Sequence, residues 1–412
     1  MLFDGEKILW EKAAHEEVRT SDSQINEKYL AGEVRIVTEQ ARYPLNTITS
    51  MLETDRYILM PKFQRRHRWD TIKKSRLIES FIMNVPIPPV FLYETDYSQY
   101  EVMDGLQRMT AILEFYTDKF ALTGLELWPE LNGKTYSQLP EKIKKGIDRR
   151  YLSSIILLQE SASSPEKAQE MKQLVFERIN SGGVKLEPQE TRNALYDGPM
   201  NQLCEKLSRN KALCSLFKIP HRDLMIEKQT FLDEWNDECG DEEFQKLLDE
   251  NKLYRSMGDV ELVLRFFAMR NLEGYATQFN DFLDAYLIEA NKFPSSVLES
   301  LETLFEESIL FADELLGEKA FYLWRPRKTK SGESWGWFER PTTTVYDPLM
   351  YVLSQLLEKK QEILSHAEEI RANINSVYLA NYDTFAGRNS NRSDIEKRIR
   401  IFRGFFEKYI EG

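Results

Sequence analysis

Asp104, Gly105, Gln107 and Arg108 stand together in the stretch EVMDGLQRMTAI, residues 101–112. An alternating run reads as a strand up to the Asp-Gly pair, and an amphipathic helix starts directly after it. Strand, glycine and helix in that order leave the backbone N–H groups of residues 105–108 without intrahelical acceptors. With the helix dipole, those groups make an anion site. Gly105 lets a ligand approach the backbone closely, and Arg108 brings a planar fork suited to phosphate. The same residues also fit a structural account. Asp104 and Gln107 have the D-x-x-Q spacing of a capping box, and Leu106, Met109, Ile112 or Leu113, and Tyr116 form one apolar stripe. That account covers Asp104, Gly105 and Gln107. It leaves out Arg108, because a cation at a helix N-terminus opposes the dipole. A bound phosphate is therefore the expectation, with Asp104, Gln107 and Arg108 as the candidate catalytic set.

Two further segments carry residues of the same chemistry. PKFQRRHRW (61–69) follows a short strand and precedes a helix, placing Gln64 and Arg65 at a strand exit. Its plain alternative is a solvated basic loop. FERINSGGVKLEPQETRNA (176–194) gathers Arg178, Asn180, Gly182, Gly183, Glu190 and Arg192 around one helix-loop-helix junction. A glycine C-cap and an acidic helix start explain Gly182, Gly183 and Glu187, but not Arg192 in the first turns of the next helix. The candidate phosphate ligands are thus Gln64, Arg65, Gly105, Arg108, Arg178, Asn180, Glu190 and Arg192.

The ordered set P-x-F-Q-R-x-x-x-W, P-I-P, D-G-x-Q-R and R-I-N-x-x-G-x-x-L-x-x-x-E-x-R-N resembles the GmrSD-type N-terminal domain, a bacterial restriction and phage-defence family of the ParB/sulfiredoxin-like superfamily. The residues that carry it are Pro61, Phe63, Gln64, Arg65 and Trp69; Pro86 to Pro88; Asp104, Gly105, Gln107 and Arg108; and Arg178, Ile179, Asn180, Gly183, Leu186, Glu190, Arg192 and Asn193. The resemblance implies a ParB-like α+β fold, nucleoside triphosphate bound with magnesium at the D-G-x-Q-R helix start, and hydrolysis linked to DNA restriction with a nuclease partner. Two departures matter. The usual motif is D-G-Q-Q-R, and Leu106 stands in place of its first glutamine. Leucine neither orients a water nor carries a proton, so weak or partner-dependent hydrolysis is expected. The four histidines, His15, His67, His221 and His366, are scattered, so the C-terminal half holds no His-Asn-His nuclease module.

These residues need elements to hold them. RYILM (56–60), VFLYE (90–94), SQYEVM (98–103) and SSIILLQE (153–160) read as strands, and TIKKSRLIESFIMN (71–84) as a helix capped by Asp70. PIPP (86–89) blocks helix and forces an extended entry to the next strand. After residue 198 nearly every apolar pattern is helical, interrupted by WRPRKTKSGESWGWFERP (324–341). The fold class is therefore α+β: a polar lead-in at 1–50, a ParB-like domain at 51–197 and a helical domain at 198–412. A chain of 412 residues with 42% hydrophobic and 30% charged residues has ample core for two or three domains. It offers no apolar run near the roughly 18 residues of a membrane span and an acidic start without a signal core, which points to the cytoplasm. Cys204, Cys214 and Cys239 lack CxxC spacing, which argues against a disulfide framework or zinc site.

Net charge is 55 − 67 = −12, so nucleic acid would have to be met by a local basic patch. Residues 62–76 hold seven Lys/Arg against Asp70 alone, while 233–249 hold eight acids and one lysine. DNA-contact candidates are Arg66, Arg68 and Lys73 in the basic run, and Arg327, Lys328, Trp335 and Trp337 in the loop. Tryptophans packed on the helical domain are the competing expectation there. Two other function classes stay open. An endonuclease using the ParB-like core would need a metal, yet YEVMD offers only Glu101 and Asp104 on opposite faces of a strand, so no metal site is expected. A non-catalytic, nucleotide-switched module binding DNA or protein, with room for self-association, is the other.

Overall fold

The computed structural model describes residues 2–10, 21–23, 26–27, 36–54, 56–58, 69–158, 165–180, 186–224, 237–276, 278–329, 332–386 and 391–410. The chain is α+β, with a small mixed sheet in its first half and a mostly helical C-terminal part. It divides into two compact units, Ala14–Leu186 and Met1–Ala13 with Glu187–Gly412.

The first unit is built on a five-stranded sheet in the order β1-β5-β3-β4-β2, with β1 at Thr38–Pro44, β2 at Tyr57–Ile58, β3 at Val90–Asp96, β4 at Gln99–Asp104 and β5 at Tyr151–Leu157. The pairs β1/β5 and β3/β4 are antiparallel, and β3/β5 and β2/β4 are parallel. The central strand β3 buries Val90 and Leu92 completely, consistent with a strand that has neighbours on both sides. Helix α1 (Thr71–Met83) starts at Asp70, whose carboxylate accepts from Lys73 N at 2.7 Å, and ends at Asn84 in the left-handed region with φ 61°. Helix α2 (Leu106–Tyr116) follows β4 directly. Leu77, Ile78 and Phe81 of α1 share one core with Met109, Ala111, Ile112 and Phe115 of α2 and the inward residues of the strands. Helices α3 (Glu141–Asp148) and α4 (Pro165–Asn180) flank β5 in sequence.

A long loop between α2 and α3 is pinned to α1 by a buried carboxylate. Glu79 Oε1 accepts from the backbone N–H groups of Leu127 and Trp128 at 2.8 and 3.0 Å. Ser75 Oγ accepts from Thr123 N at 2.9 Å. The loop so held leaves Leu127 66% exposed.

Two parts of the 1–50 lead-in differ from the sequence expectation. Residues 38–44 form β1, an edge strand that is mostly exposed. Its sequence TEQARYP is polar and ends in proline, which an edge tolerates, so no buried alternation marks it. Residues 2–10 belong to the second unit. There the Glu6 carboxylate pairs with Arg270 at 2.7 and 2.8 Å, both groups buried. Trp10 stacks on Phe282 with ring centroids 5.6 Å apart.

The second unit consists of helices including α5 (Pro188–Leu195), α6 (Pro199–Leu207), α7 (Gly258–Met269), α8 (Phe279–Ala290), α9 (Ser295–Leu316), α10 (Thr343–Gln355), α11 (Ala367–Ala380) and α12 (Arg392–Phe406), with a two-stranded antiparallel ribbon, β6 (Trp324–Thr329) and β7 (Gly332–Trp337). Its core centres on α7 and α9, whose Val263, Leu264, Phe267, Leu301, Phe305 and Ile309 are fully buried. Inside it, Arg265 of α7 grips Asp347 of α10 through two charged hydrogen bonds, one of 2.9 Å from Nε to Oδ1. Burial pushes the Asp347 carboxyl up from its ordinary value, and Arg265 pulls it back only in part. Among the described residues no helix is long and apolar enough to cross a membrane.

Removing the Glu79 carboxylate leaves two well-made backbone donors of the 122–134 loop without acceptors, which costs about 1–3 kcal/mol for each buried group. Glu79→Ala is therefore expected to lower stability by about 2–4 kcal/mol. Urea unfolding would check this, and a midpoint equal to that of the parent chain would refute the account of the loop.

Candidate functional site

The chain passes from β4 to α2 through a single residue. Gly105 has φ 97° and ψ 7°, a region that side chains strain to occupy. Space excludes them as well: a Cβ at Gly105 would lie 2.4 Å from Cγ1 and 2.9 Å from Cβ of Val90. The first helical bond runs from Met109 N to Gly105 O at 3.0 Å. The N–H groups of Leu106, Gln107 and Arg108 therefore point out of the helix end, and among the described residues no side chain caps them.

The expected capping box between Asp104 and Gln107 does not form. Gly105, not Asp104, is the N-cap, and the D-x-x-Q spacing is thereby out of step with the helix. The Asp104 carboxylate instead accepts from Nη2 of Arg108 at 2.7 Å, one turn along. Gln107 Oε1 accepts from the backbone N–H of Trp69 at 3.1 Å, tying the end of the basic segment to the start of α2. A capping-box contact is made elsewhere, where Glu190 Oε2 accepts from Glu187 N at 2.9 Å at the start of α5.

Arg108 has structural partners that its sequence position concealed. Nη1 donates to the carbonyls of Pro88 and, at 3.1 Å, Pro89, and so fastens the proline-rich entry of β3 to α2. Among the described residues, Nε–H and the second Nη2–H of Arg108 meet no acceptor. The site thus combines three uncapped backbone N–H groups with two guanidinium N–H groups, an arrangement chemically suited to the oxygens of a phosphate. Leu106 is half-buried against the core of the unit.

Other sequence candidates have other surroundings. Glu101 is 4% exposed and pairs with Lys172 of α4 at 2.7 Å. With Asp104 committed to Arg108, each carboxylate of YEVMD faces its own cation. Among the described residues no group of three or more His, Cys, Asp and Glu side chains is placed to hold a metal. Arg178 lies exposed on α4, as Lys73 does on α1. Gln64, Arg65, Arg66 and Arg68 and the side chains of Asn180 and Lys328 lie outside the described residues.

Arg192 belongs to the second unit, and its setting supplies the role that sequence reasoning could not. It is 2% exposed. Nε donates to Asp284 at 2.6 Å, Nη1 to Gln189 at 3.2 Å and Glu261 at 3.0 Å, and Nη2 to the carbonyl and side-chain oxygens of Asn280 at 3.4 and 2.9 Å. All five N–H groups are thereby occupied, so Arg192 is a clamp among helices and has no donor left for a phosphate. Asn193 beside it accepts from Gln189 and donates to Glu205. The acceptors lie about 70 to 90 residues further along the chain, and nothing local to the motif announces them.

Residues 46–196 match the family described as the GmrSD restriction endonuclease, N-terminal domain. The chain carries this domain, and with it the stamp of a GmrSD-type restriction and phage-defence family. No curated protein and no solved structure matches the chain.

Gly105→Ala combines left-handed strain with a clash against Val90 and is expected to destabilise the first unit by about 2–4 kcal/mol. Arg192→Ala strands two acids in a largely buried setting and is expected to cost the second unit about 3–5 kcal/mol. Thermal melts of both variants would check these values. A loss below about 1 kcal/mol for Arg192→Ala would show that the clamp is not structural.

Proposed function

We propose that this chain, on the premise of its GmrSD-type N-terminal domain, is the nucleotide-binding component of a bacterial DNA restriction or phage-defence system. In this reading the first unit is a ParB/sulfiredoxin-like core. It holds a nucleoside triphosphate, with magnesium, through its phosphates on the N-terminus of α2. The observation that carries the reading is the uncapped helix start behind Gly105, with unassigned Arg108 N–H groups beside it. Asp104 keeps the guanidinium fork in position before the phosphate arrives. Arg65 and Gln64, on the segment that Gln107 anchors through Trp69, are the further ligands proposed.

Binding and turnover are separable in this proposal. Leu106 sits where near relatives carry glutamine, and it spends its side chain on packing. A leucine neither orients a water nor moves a proton. Binding needs only backbone N–H groups, Gln107 and Arg108, all of which are in place. Weak hydrolysis, or hydrolysis supplied with a partner nuclease, follows. Glu101 and Asp104 are each matched to a cation, so nothing in their geometry favours cleavage of DNA by the core itself.

Calorimetric titration with the common nucleoside triphosphates and magnesium tests the site. Loss of one charged hydrogen-bonding group to phosphate costs about 1.5–3 kcal/mol, so Arg108→Ala is expected to weaken binding at least about tenfold. Arg108→Lys, which keeps the charge, guards against a relaxed Pro88–Pro89 entry as the cause. Leu106→Gln is expected to raise turnover without tightening binding. Undiminished affinity in a folded Arg108→Ala chain, or brisk hydrolysis by the parent chain with no gain from Leu106→Gln, would refute the reading.

A further inference from the structure

The ribbon β6–β7 sorts its side chains by register. Trp324 faces Trp337 and Pro326 faces Trp335 on one side, while Arg325 faces Gly336 and Arg327 faces Ser334 on the other. The tryptophan side is turned to the helices of its own unit. Trp324 and Trp337 pack on their core, Trp337 lies edge-on to Tyr378 at 6.2 Å, and Trp335 lies edge-on to Tyr382 at 5.3 Å. The arginine side is left outward, with Arg325 and Arg327 exposed.

On that side cations gather without neutralisation. The Arg325 guanidinium lies 4.0 Å from the centroid of Phe338, and the exposed Arg340 lies 5.9 Å from the same ring. Arg327 lies across Gly336, where a Cβ would stand 3.1 Å from its Cδ and Nε. Among the described residues none of Arg325, Arg327 and Arg340 has a carboxylate within ion-pair distance. The chain has 67 acids against 55 bases, so acids are plentiful, yet none is placed here. Two guanidiniums around one ring repel each other unless an anion joins them. Small residues opposite them, Gly336 and Ser334, let a broad anionic surface come close. Guanidinium forks match phosphate oxygens in geometry as well as in charge.

We propose that the arginine side of this ribbon is a docking surface for the sugar-phosphate backbone of DNA, with Arg325, Arg327 and Arg340 as its phosphate ligands. The tryptophans serve as the foundation of the ribbon and do not stack on bases. This goes beyond the nucleotide site and does not depend on it; the choice of DNA among polyanions rests on the restriction reading.

The test is fluorescence anisotropy of a labelled DNA duplex with the full chain over a range of salt. Arg325→Ala/Arg327→Ala/Arg340→Ala is expected to weaken binding at least about tenfold. The slope of log affinity against log salt should fall by about 3, near 0.9 for each phosphate released. The triple lysine variant, which keeps the charges, is expected to retain most of that slope, and triphosphate binding is expected to stay at the parent level in both. Parent-level DNA affinity and slope in the triple alanine variant would overturn this surface and leave the restriction reading standing. No DNA binding by the parent chain would overturn both together.

Discussion

The closeness of Val90 to Gly105 is the constraint on which the first unit turns. A strand that is to become a helix without an intervening loop must reverse its backbone twist in one residue. That residue has to sit in the left-handed region. It does so against the first residue of the neighbouring strand, with no room for a methyl group. From this one contact the rest follows. The helix axis is fixed at the end of the sheet, so the side chain at its third position, Arg108, falls over the prolines that open β3. The carboxylate that closes β4 falls under the same guanidinium. Every group of the candidate phosphate site is a fixed number of bonds from that glycine.

The second unit relies on buried charge to a degree its apolar helices do not foretell. Arg192, Arg265 and Arg270 are each buried and each face at least one carboxylate. Such pairs add little over a well-packed apolar alternative, but breaking one partner is costly. They also hold only when the right helices meet. Arg192 finds acceptors on α7 and on α8 together, and Arg265 joins α7 to α10. A bundle assembled in another order would leave these cations bare. The network therefore stabilises one arrangement of the helices against its competitors.

The parts of the fold that were legible in the sequence are those with local causes. Asp70 caps α1 as its position suggested, the prolines at 86–89 lead into β3, and the tryptophan-bearing stretch at 324–341 is a hairpin. The parts that escaped have distant causes. β1 is an edge strand of polar residues that gains its identity from pairing with a strand more than a hundred residues away. Arg108 looked free of structural duty because its carbonyl acceptors lie across the sheet. Arg192 looked like a ligand because its clamp comes from helices later in the chain. The capping-box spacing at Asp104 was sound chemistry one residue out of phase, and only the place where β4 ends could settle that. In the ribbon, aromatic and basic residues were visible in sequence, but their division between two sides required the strand register.

The family match ends at residue 196, whereas the compact first unit ends at Leu186. Helix α5 lies in the interval, and it carries Arg192 into a socket made by Glu261, Asn280 and Asp284. Inheritance and folding thus draw their borders in different places. A recombination event that exchanged the recognisable homologous segment alone would graft a buried arginine without its socket, while a crossover at residue 186 would leave the clamp whole. Descendants of this lineage should therefore swap partners by joints ahead of α5, and the short stretch Glu187–Tyr196 should travel with the helices that receive it.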